Sequence, residues 1–261
     1  MHSDLTDQYR PGDSLVHRLD PRVKAVGALL LILAASLTPS GAWPAFGLLL
    51  LILTGVGLVA GLGPAFAMKR AFVALPFALA ALPILFTTPG DSLLRLPILH
   101  WPVTAPGIER FGSLLLRMWL AVQSGILLTA ATPFADLTWA LGELHMPRPL
   151  VAIVSFMYRY LFVLADEALR LLRARSARSA ALPGRRRPPV VWQGRVAGGM
   201  VGSLFLRALE RSERVYAAMV ARGYDGQVRL LRRFSMSSLD WAALAAGAAA
   251  AGLVVLAGHL R

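Results

Sequence analysis

The chain has 261 residues, of which 56% are hydrophobic and 16% are charged, and its mean hydropathy is +0.60. Soluble domains contain about 45–50% apolar and about 25% charged residues, so this composition excludes an ordinary soluble domain and indicates several membrane spans. The chain has no cysteine, which excludes disulfides, thiolate metal sites and a cysteine nucleophile. The net charge of +13 lies in loops between apolar runs, which favours a positive-inside bias over nucleic-acid binding.

The N-terminal segment 1–24 is polar, and we expect it to lie outside the bilayer. Asp20 followed by Pro21 predicts a helix start, with Asp20 as the N-cap and Pro21 as the first helical residue. Four basic residues accompany it, which predicts a cytoplasmic N-terminus: Arg10, Arg18, Arg22 and Lys24.

No charged residue occurs from residue 25 to residue 68. As one helix, this stretch would be about 66 Å long, against a hydrocarbon core of about 30 Å, so it predicts two crossings. The Pro- and Gly-containing residues 39–44 supply the break between spans at 24–39 and 44–63.

The next two predictions, a close helix contact and a kinked third span, depend on glycine and proline residues. Gly57 and Gly61 form a small-xxx-small pair, which predicts close helix packing. Residues 71–88 predict a third span, with Pro76 and Pro83 as kinks.

A proline-rich segment with few charges, residues 89–107, is typical of an outer loop. Residues 108–131 predict a fourth span, and it contains Arg117. A charge inside the membrane indicates either a functional site or an arginine that reaches the interface or a backbone carbonyl at a helix contact.

Residues 132–144 predict a short amphipathic interface helix with Thr132 as its N-cap and Pro133 at its first position. Residues 150–173 are compatible with a full span. We prefer one long helix that dips into the inner leaflet and emerges as a first cytoplasmic arm, because 17 basic against 7 acidic residues between positions 132 and 235 favour the cytoplasm.

Residues 196–222 predict a second arm, and residues 240–258 predict a last span. The fold class is therefore an all-α polytopic membrane protein with about five transmembrane helices plus two long cytoplasmic arm helices. The corresponding regions are 1–131 with four spans, 132–238 with the arms, and 239–261 with the C-terminal transmembrane helix.

The second arm has one apolar stripe at helical spacing, with charged residues away from it. The stripe comprises Phe205, Leu209, Ser212, Tyr216 and Met219, and the residues off the stripe are Arg207, Glu210, Arg211 and Arg214. Glu210 and Arg214 are spaced for an ion pair along the helix.

Two similar tripeptides occur near the ends of the arms, 44 residues apart: Ala177-Arg178-Ser179 and Ala221-Arg222-Gly223. Gly223 suits a left-handed residue that stops a helix, so Arg222 lies at the negative end of the helix dipole. Small neighbours leave its guanidinium uncovered for a bidentate contact with a partner's carboxylate. A solvated basic face with an ordinary glycine cap, or anionic lipid headgroups, are the alternatives.

Catalytic signatures are missing from the sequence. It has no phosphate-binding loop of the G-x-x-x-x-G-K-[ST] type, no Gly-x-Ser-x-Gly elbow and no metal-ligand spacing among its five histidines. We therefore expect no catalytic residue, cofactor or metal, and we interpret the acidic pair Asp166 and Glu167 as solvated. A polytopic membrane enzyme that uses Arg117, Arg159 and the arm arginines against a phosphate or lipid headgroup is the alternative, and a self-contained permease is a third possibility.

The chain resembles the transmembrane T component of energy-coupling factor (ECF) transporters, and within that family the cobalt-type CbiQ subunits. The resemblance covers nearly the whole length and is carried by residues 14–24, 132–141 and, most specifically, 210–226. The first family signature falls on Ala177-Arg178-Ser179, with Ala174-Arg175-Ser176 as a competing register.

The resemblance implies a non-catalytic coupling subunit in a bacterial inner membrane. Its two signatures would dock into grooves of two cytoplasmic ATPase subunits and transmit their motion to a separate, cobalt-type substrate-binding membrane subunit. Membrane lipid would surround it, and no nucleic acid would bind. The sequence leaves open the transported ion (cobalt, nickel or a vitamin), the stoichiometry, and whether residues 150–165 span the membrane.

Overall fold

The computed structural model describes residues 9–72, 75–89, 92–95, 102–178, 189–226 and 234–259. Contacts divide the chain into two compact units. We call residues 9–144 with 234–259 the bundle unit, and residues 145–226 the arm unit. The three regions predicted from the sequence were drawn by membrane topology, and their boundaries stay a prediction.

The described residues are predominantly helical. The bundle unit begins with α1 (Leu15–Arg18), α2 (Pro21–Leu37), α3 (Trp43–Val59), α4 (Pro64–Ala71), α5 (Leu75–Ala81) and α6 (Ile84–Thr87). It continues with the antiparallel strands β1 (Ser92–Arg95) and β2 (Pro102–Thr104), then α7 (Ala105–Ala131), α8 (Phe134–Glu143) and, after the arms, α11 (Ser238–His259). The arm unit consists of α9 (Arg148–Arg178) and α10 (Val190–Ala221).

Small residues let the long helices of the bundle unit approach one another closely. The core is formed by α2, α3, α7 and α11, and alanines supply much of its buried surface. Larger side chains fill the remaining space, and Leu49, Leu120 and Val254 are at most 1% exposed. The predicted all-α polytopic architecture is confirmed.

Asp20 and Asp240 join the start of α2 to the start of α11. As predicted, Asp20 is the N-cap of α2, because its carboxylate accepts a hydrogen bond from the Arg22 amide at 2.8 Å. The Asp20 amide in turn donates to Oδ1 of Asp240 at 2.8 Å. The other carboxylate oxygen of Asp240 accepts from the amide and the hydroxyl of Ser237, each at 2.8 Å. One buried carboxylate thus caps α11 and satisfies the Asp20 amide.

Arg22 fastens the interface helix α8 to α2. Its guanidinium lies 3.1 Å from the Glu143 carboxylate and 4.4 Å from the centre of the Trp139 ring. The Phe234 ring also packs against Trp139, with the two ring centroids 4.7 Å apart. An ion pair and a cation–π contact therefore hold α8 on the same unit as α2.

The predicted break between the first two spans is confirmed, and Arg117 makes its hydrogen bond at this break. The chain turns after α2 with Gly41 at φ +82°. Arg117 of α7 donates to the carbonyl of Thr38, at the end of α2, at 2.6 Å. Of the two interpretations of this arginine, the structure therefore supports the pairing with a backbone carbonyl at a helix contact.

Two sequence predictions about helix starts and ends are wrong. Gly61 does not pack helices together: it has φ +70° and follows the end of α3, and the Leu62 amide donates to the Gly57 carbonyl, so that Gly61 terminates the helix. Thr132 is not the N-cap of α8, because Pro133 takes that position and the buried Thr132 hydroxyl has no hydrogen-bond partner in the described part of the chain.

The third predicted span, residues 71–88, is not one helix. Instead, α5 and α6 are separated by residues 82 and 83, so Pro83 breaks the helix that it was expected to kink. Proline lacks an amide hydrogen and its ring clashes with the carbonyl four residues earlier, so it kinks or breaks an α-helix.

Three described helices are long and apolar enough to cross a membrane: α7, α9 and α11. The shorter apolar helix α3 has 17 residues, slightly fewer than the roughly 20 that a perpendicular crossing needs. Residues 148–178 form one continuous helix of 31 residues, as we preferred, and its apolar part is long enough to span.

Candidate functional site

An ion pair joins the two helices of the arm unit. Glu167 of α9 accepts a hydrogen bond from Arg207 of α10 at 2.7 Å, and its second oxygen pairs with Arg170 of its own helix. The interpretation of Asp166 and Glu167 as a solvated pair is therefore wrong for Glu167. Sequence spacing does not reveal a contact between residues 40 positions apart, so this interaction was missed.

The end of α10 has the hydrogen-bond pattern of a Schellman cap. The Tyr224 amide donates to the Met219 carbonyl at 3.0 Å, and the Gly223 amide donates to the Val220 carbonyl at 2.9 Å. Gly223 has φ +81°, as expected for a left-handed residue after the helix, and no atom lies within 4 Å of the place where a Cβ would be. Glycine is therefore required there by backbone conformation and not by space.

Arg222 is the C-cap residue of α10, and its side chain is exposed. Within the described residues, its guanidinium has no hydrogen bond or ion pair. Ala221 and Gly223 on either side are exposed as well and cover none of it. The five N–H donors of this side chain are thus exposed at the capped end of a helix and are available to a carboxylate.

The first motif begins at the last described residues of α9. Ala177 and Arg178 are the last two residues of that helix and are exposed, whereas Ser179 lies outside the described residues. In the competing register, Arg175 is partly buried, which favours Arg178 as the residue available to a partner.

A groove of about 590 Å³ runs between α9 and α10. Three residues of the predicted stripe line it, namely Ser212, Tyr216 and Met219, but Phe205 and Leu209 do not. Arg211 lines it too, although the sequence placed this arginine off the stripe. The face of α10 that lines the groove is therefore offset by about one residue from the predicted stripe. Which face lines the groove depends on how α9 packs, and the α10 sequence alone does not determine that packing. The predicted pair of Glu210 and Arg214 is confirmed at 3.9 Å.

Within the residues that the structure covers, no group of three or more His, Asp or Glu side chains could hold a metal ion. The candidate site is therefore a surface: two exposed arginines, each on a long helix of the arm unit, together with the ion pair that joins those helices.

These features define a helical membrane protein with two long helices, each of which presents an exposed arginine in its last described turn. The chain belongs to the CbiQ family, described as cobalt transport protein, whose family model matches residues 12–231.

Individual relatives agree with that assignment. The chain is 28% identical to the energy-coupling factor transporter transmembrane protein EcfT of Listeria innocua serovar 6a, over 92% of this chain and 94% of the relative. It is 32% identical to the cobalt transport protein CbiQ of Rhodobacter capsulatus, over 64% of this chain and 68% of the relative. An uncharacterized protein of Methanocaldococcus jannaschii is 28% identical over 72% of this chain, which spans 65% of that relative's length.

Breaking the ion pair between the arms should loosen the arm unit without unfolding it. In Glu167→Gln, we expect the distance distribution between spin labels at positions 174 and 217 to broaden, because the charge that holds Arg207 is gone. Both labelled positions are exposed, and the chain has no cysteine of its own, so two introduced cysteines are labelled specifically. Pulsed electron paramagnetic resonance in mild detergent measures the distribution. The melting temperature should fall by only about 1–3 °C.

The matched control is Glu210→Gln, whose partner Arg214 lies on the same helix. This variant should keep the wild-type distance distribution. Equal broadening in both variants, or in neither, would contradict a specific role for Glu167 in joining the arms.

Proposed function

We propose that the chain is the non-catalytic transmembrane coupling subunit of an ECF-type importer, and that cobalt is the transported ion. The observation that carries this proposal is Arg222: an exposed guanidinium with no partner among the described residues, at the capped end of a helix of 32 residues. A helix of that length is about 48 Å long and can transmit a displacement at one end over its whole length.

Each arm helix would dock into one of two cytoplasmic ATPase subunits. Two arginine motifs support this assignment, since Arg178 is the last described residue of α9 and Arg222 is the C-cap of α10. The carboxyl end of a helix favours a cation, and a cation there attracts an acidic groove on a partner. The ion pair between Glu167 and Arg207 would make the two arms respond together when either ATPase moves.

A substrate-binding membrane subunit is the third proposed partner, in the inner membrane of a bacterium and with the N-terminus of this chain in the cytoplasm. The excess of basic residues between positions 132 and 235 supports that orientation. Cobalt is supported by the description of the matching family and by the name of the Rhodobacter relative.

The alternative function, a membrane enzyme, requires arginines within the spans that bind a phosphate or lipid headgroup. Arg117 donates to the Thr38 carbonyl and lies 3.4 Å from the Ser40 hydroxyl, so its guanidinium joins two helices. That arrangement favours a structural role for Arg117 over phosphate binding.

Affinity purification in mild detergent tests the proposal directly. We expect two ATPase chains and one further membrane protein to accompany each copy of this chain from cells that express the whole transporter. An identical preparation with both Arg178 and Arg222 changed to alanine is the control, and it should retain far less ATPase. Recovery of the wild-type chain alone, with turnover of a lipid substrate, would overturn the coupling function.

A further inference from the structure

The groove between α9 and α10 combines an apolar wall with one arginine. Its apolar side chains come from both helices and include Ile153, Phe156, Val215 and Met219, and Arg211 contributes the cation. Its volume of about 590 Å³ lies within the roughly 300–1,000 Å³ typical of pockets for small molecules.

The α9 residues that line the groove belong to a larger apolar surface, and exposing that surface to water is unfavourable. Leu150, Ile153, Met157 and Leu161 recur at steps of three and four residues and are each at least 45% exposed. They lie in the part of α9 that is long and apolar enough for a membrane. An exposed apolar stripe of this kind marks a contact with lipid or with another apolar partner.

Arg211 differs from the neighbouring arginines of α10. Arg207 is paired with Glu167, and Arg214 lies 3.9 Å from Glu210, whereas Arg211 has no carboxylate partner within the described residues. It is partly buried against the groove. A guanidinium in such a place gains most from an anion that presents two oxygens, and a carboxylate or a phosphate does so.

We propose that this groove binds an anionic phospholipid, with an acyl chain between α9 and α10 and the headgroup phosphate on Arg211. The site requires one molecule that is apolar along most of its length and anionic at one end, and a phospholipid has both properties. A helix from another protein would satisfy Arg211 only if it placed a carboxylate at this point, whereas every anionic phospholipid carries its phosphate at the end of its acyl chains. The site does not depend on the proposed coupling function.

Native mass spectrometry of the full-length chain in mild detergent tests this site without any ATPase. The probe is phosphatidylglycerol, titrated in parallel with phosphatidylcholine and with inorganic phosphate. We expect one phosphatidylglycerol to bind per chain, tighter than phosphatidylcholine, and an excess of inorganic phosphate not to displace it. Arg211→Gln should weaken phosphatidylglycerol binding about tenfold, which corresponds to about 1.4 kcal/mol.

Two further variants separate the groove from the general basic surface. Arg214→Gln removes the same charge one turn away and should change the affinity less than twofold. Ala208→Trp places a bulky side chain in the groove and should remove the bound lipid. The elution profile and the helical circular dichroism show whether each variant is folded, and Arg211→Gln decides the question if Ala208→Trp does not fold.

Three results would overturn the proposal. The first is equal loss of lipid in Arg211→Gln and Arg214→Gln, which would indicate a diffuse electrostatic surface. The second is displacement of the lipid by inorganic phosphate, which would indicate a site for the free anion. The third is an Ala208→Trp variant that keeps its lipid but loses a co-purifying membrane protein, which would show that the groove holds a partner's helix.

Discussion

Changing Arg222 to alanine is expected to lower ATP-driven cobalt uptake at least tenfold while the protein remains in the membrane. Truncating one partner of a buried charge pair costs about 2–5 kcal/mol, and each 1.4 kcal/mol is a factor of ten in affinity. The fold should be unaffected, because the Arg222 side chain is exposed and makes no polar contact among the described residues. Uptake of radioactive cobalt by cells that produce the variant measures the effect.

The control for this experiment is Arg214→Ala on the same helix, for which we expect less than a twofold change. Arg214 is exposed and positively charged like Arg222, but it lies next to Glu210 and away from the helix end. Arg178→Ala should behave like Arg222→Ala, and Arg175→Ala should not, which also decides the register of the first motif. Normal uptake in both Arg178→Ala and Arg222→Ala, with the ATPases still bound, would refute the coupling role.

Replacing Asp240 with alanine is expected to destabilise the protein by about 2–4 kcal/mol. The change leaves the amides of Asp20 and Ser237 without their acceptor, and a buried donor without a partner costs about 1–3 kcal/mol. For a chain of this size, the melting temperature should fall by roughly 5–15 °C. Thermal unfolding in mild detergent, followed by the loss of the monodisperse elution peak, measures the change.

Two control variants are compared with Asp240→Ala by their melting temperatures. Asp240→Asn keeps one acceptor oxygen and should lose only part of the stability. Asp166→Ala removes an exposed carboxylate and should melt within 1 °C or so of the wild type. A melting temperature for Asp240→Ala that matches Asp166→Ala would mean that Asp240 does not hold α2 and α11 together.

Features that depend on one stretch of chain were predictable from the sequence. Asp20 caps α2 because its own side chain reaches an amide two residues ahead, and Gly223 ends α10 because only glycine readily takes that backbone conformation. The continuity of α9 follows from an apolar run that contains no proline between its first turn and residue 178.

Features that depend on how two helices rotate against each other were not predictable. The contact of Glu167 with Arg207, the position of Arg211 in the groove and the link from Asp20 to Asp240 each join distant parts of the chain. The break at Pro83 belongs here too, since a proline kinks a helix or ends it according to what surrounds it. The position of Arg222 at a helix end could be derived from local chemistry, whereas the identity of what it binds depends on a partner's surface.

The hydrogen bond from the Asp20 amide to Asp240 can form only after nearly the whole chain has been synthesised. The acceptor is synthesised 220 residues after the donor, which takes roughly 10–45 s at about 5–20 residues per second. Until then the amide at the start of α2 lacks its partner. A chain that ends before Ser237 therefore lacks this bond and the packing of α11 on α2.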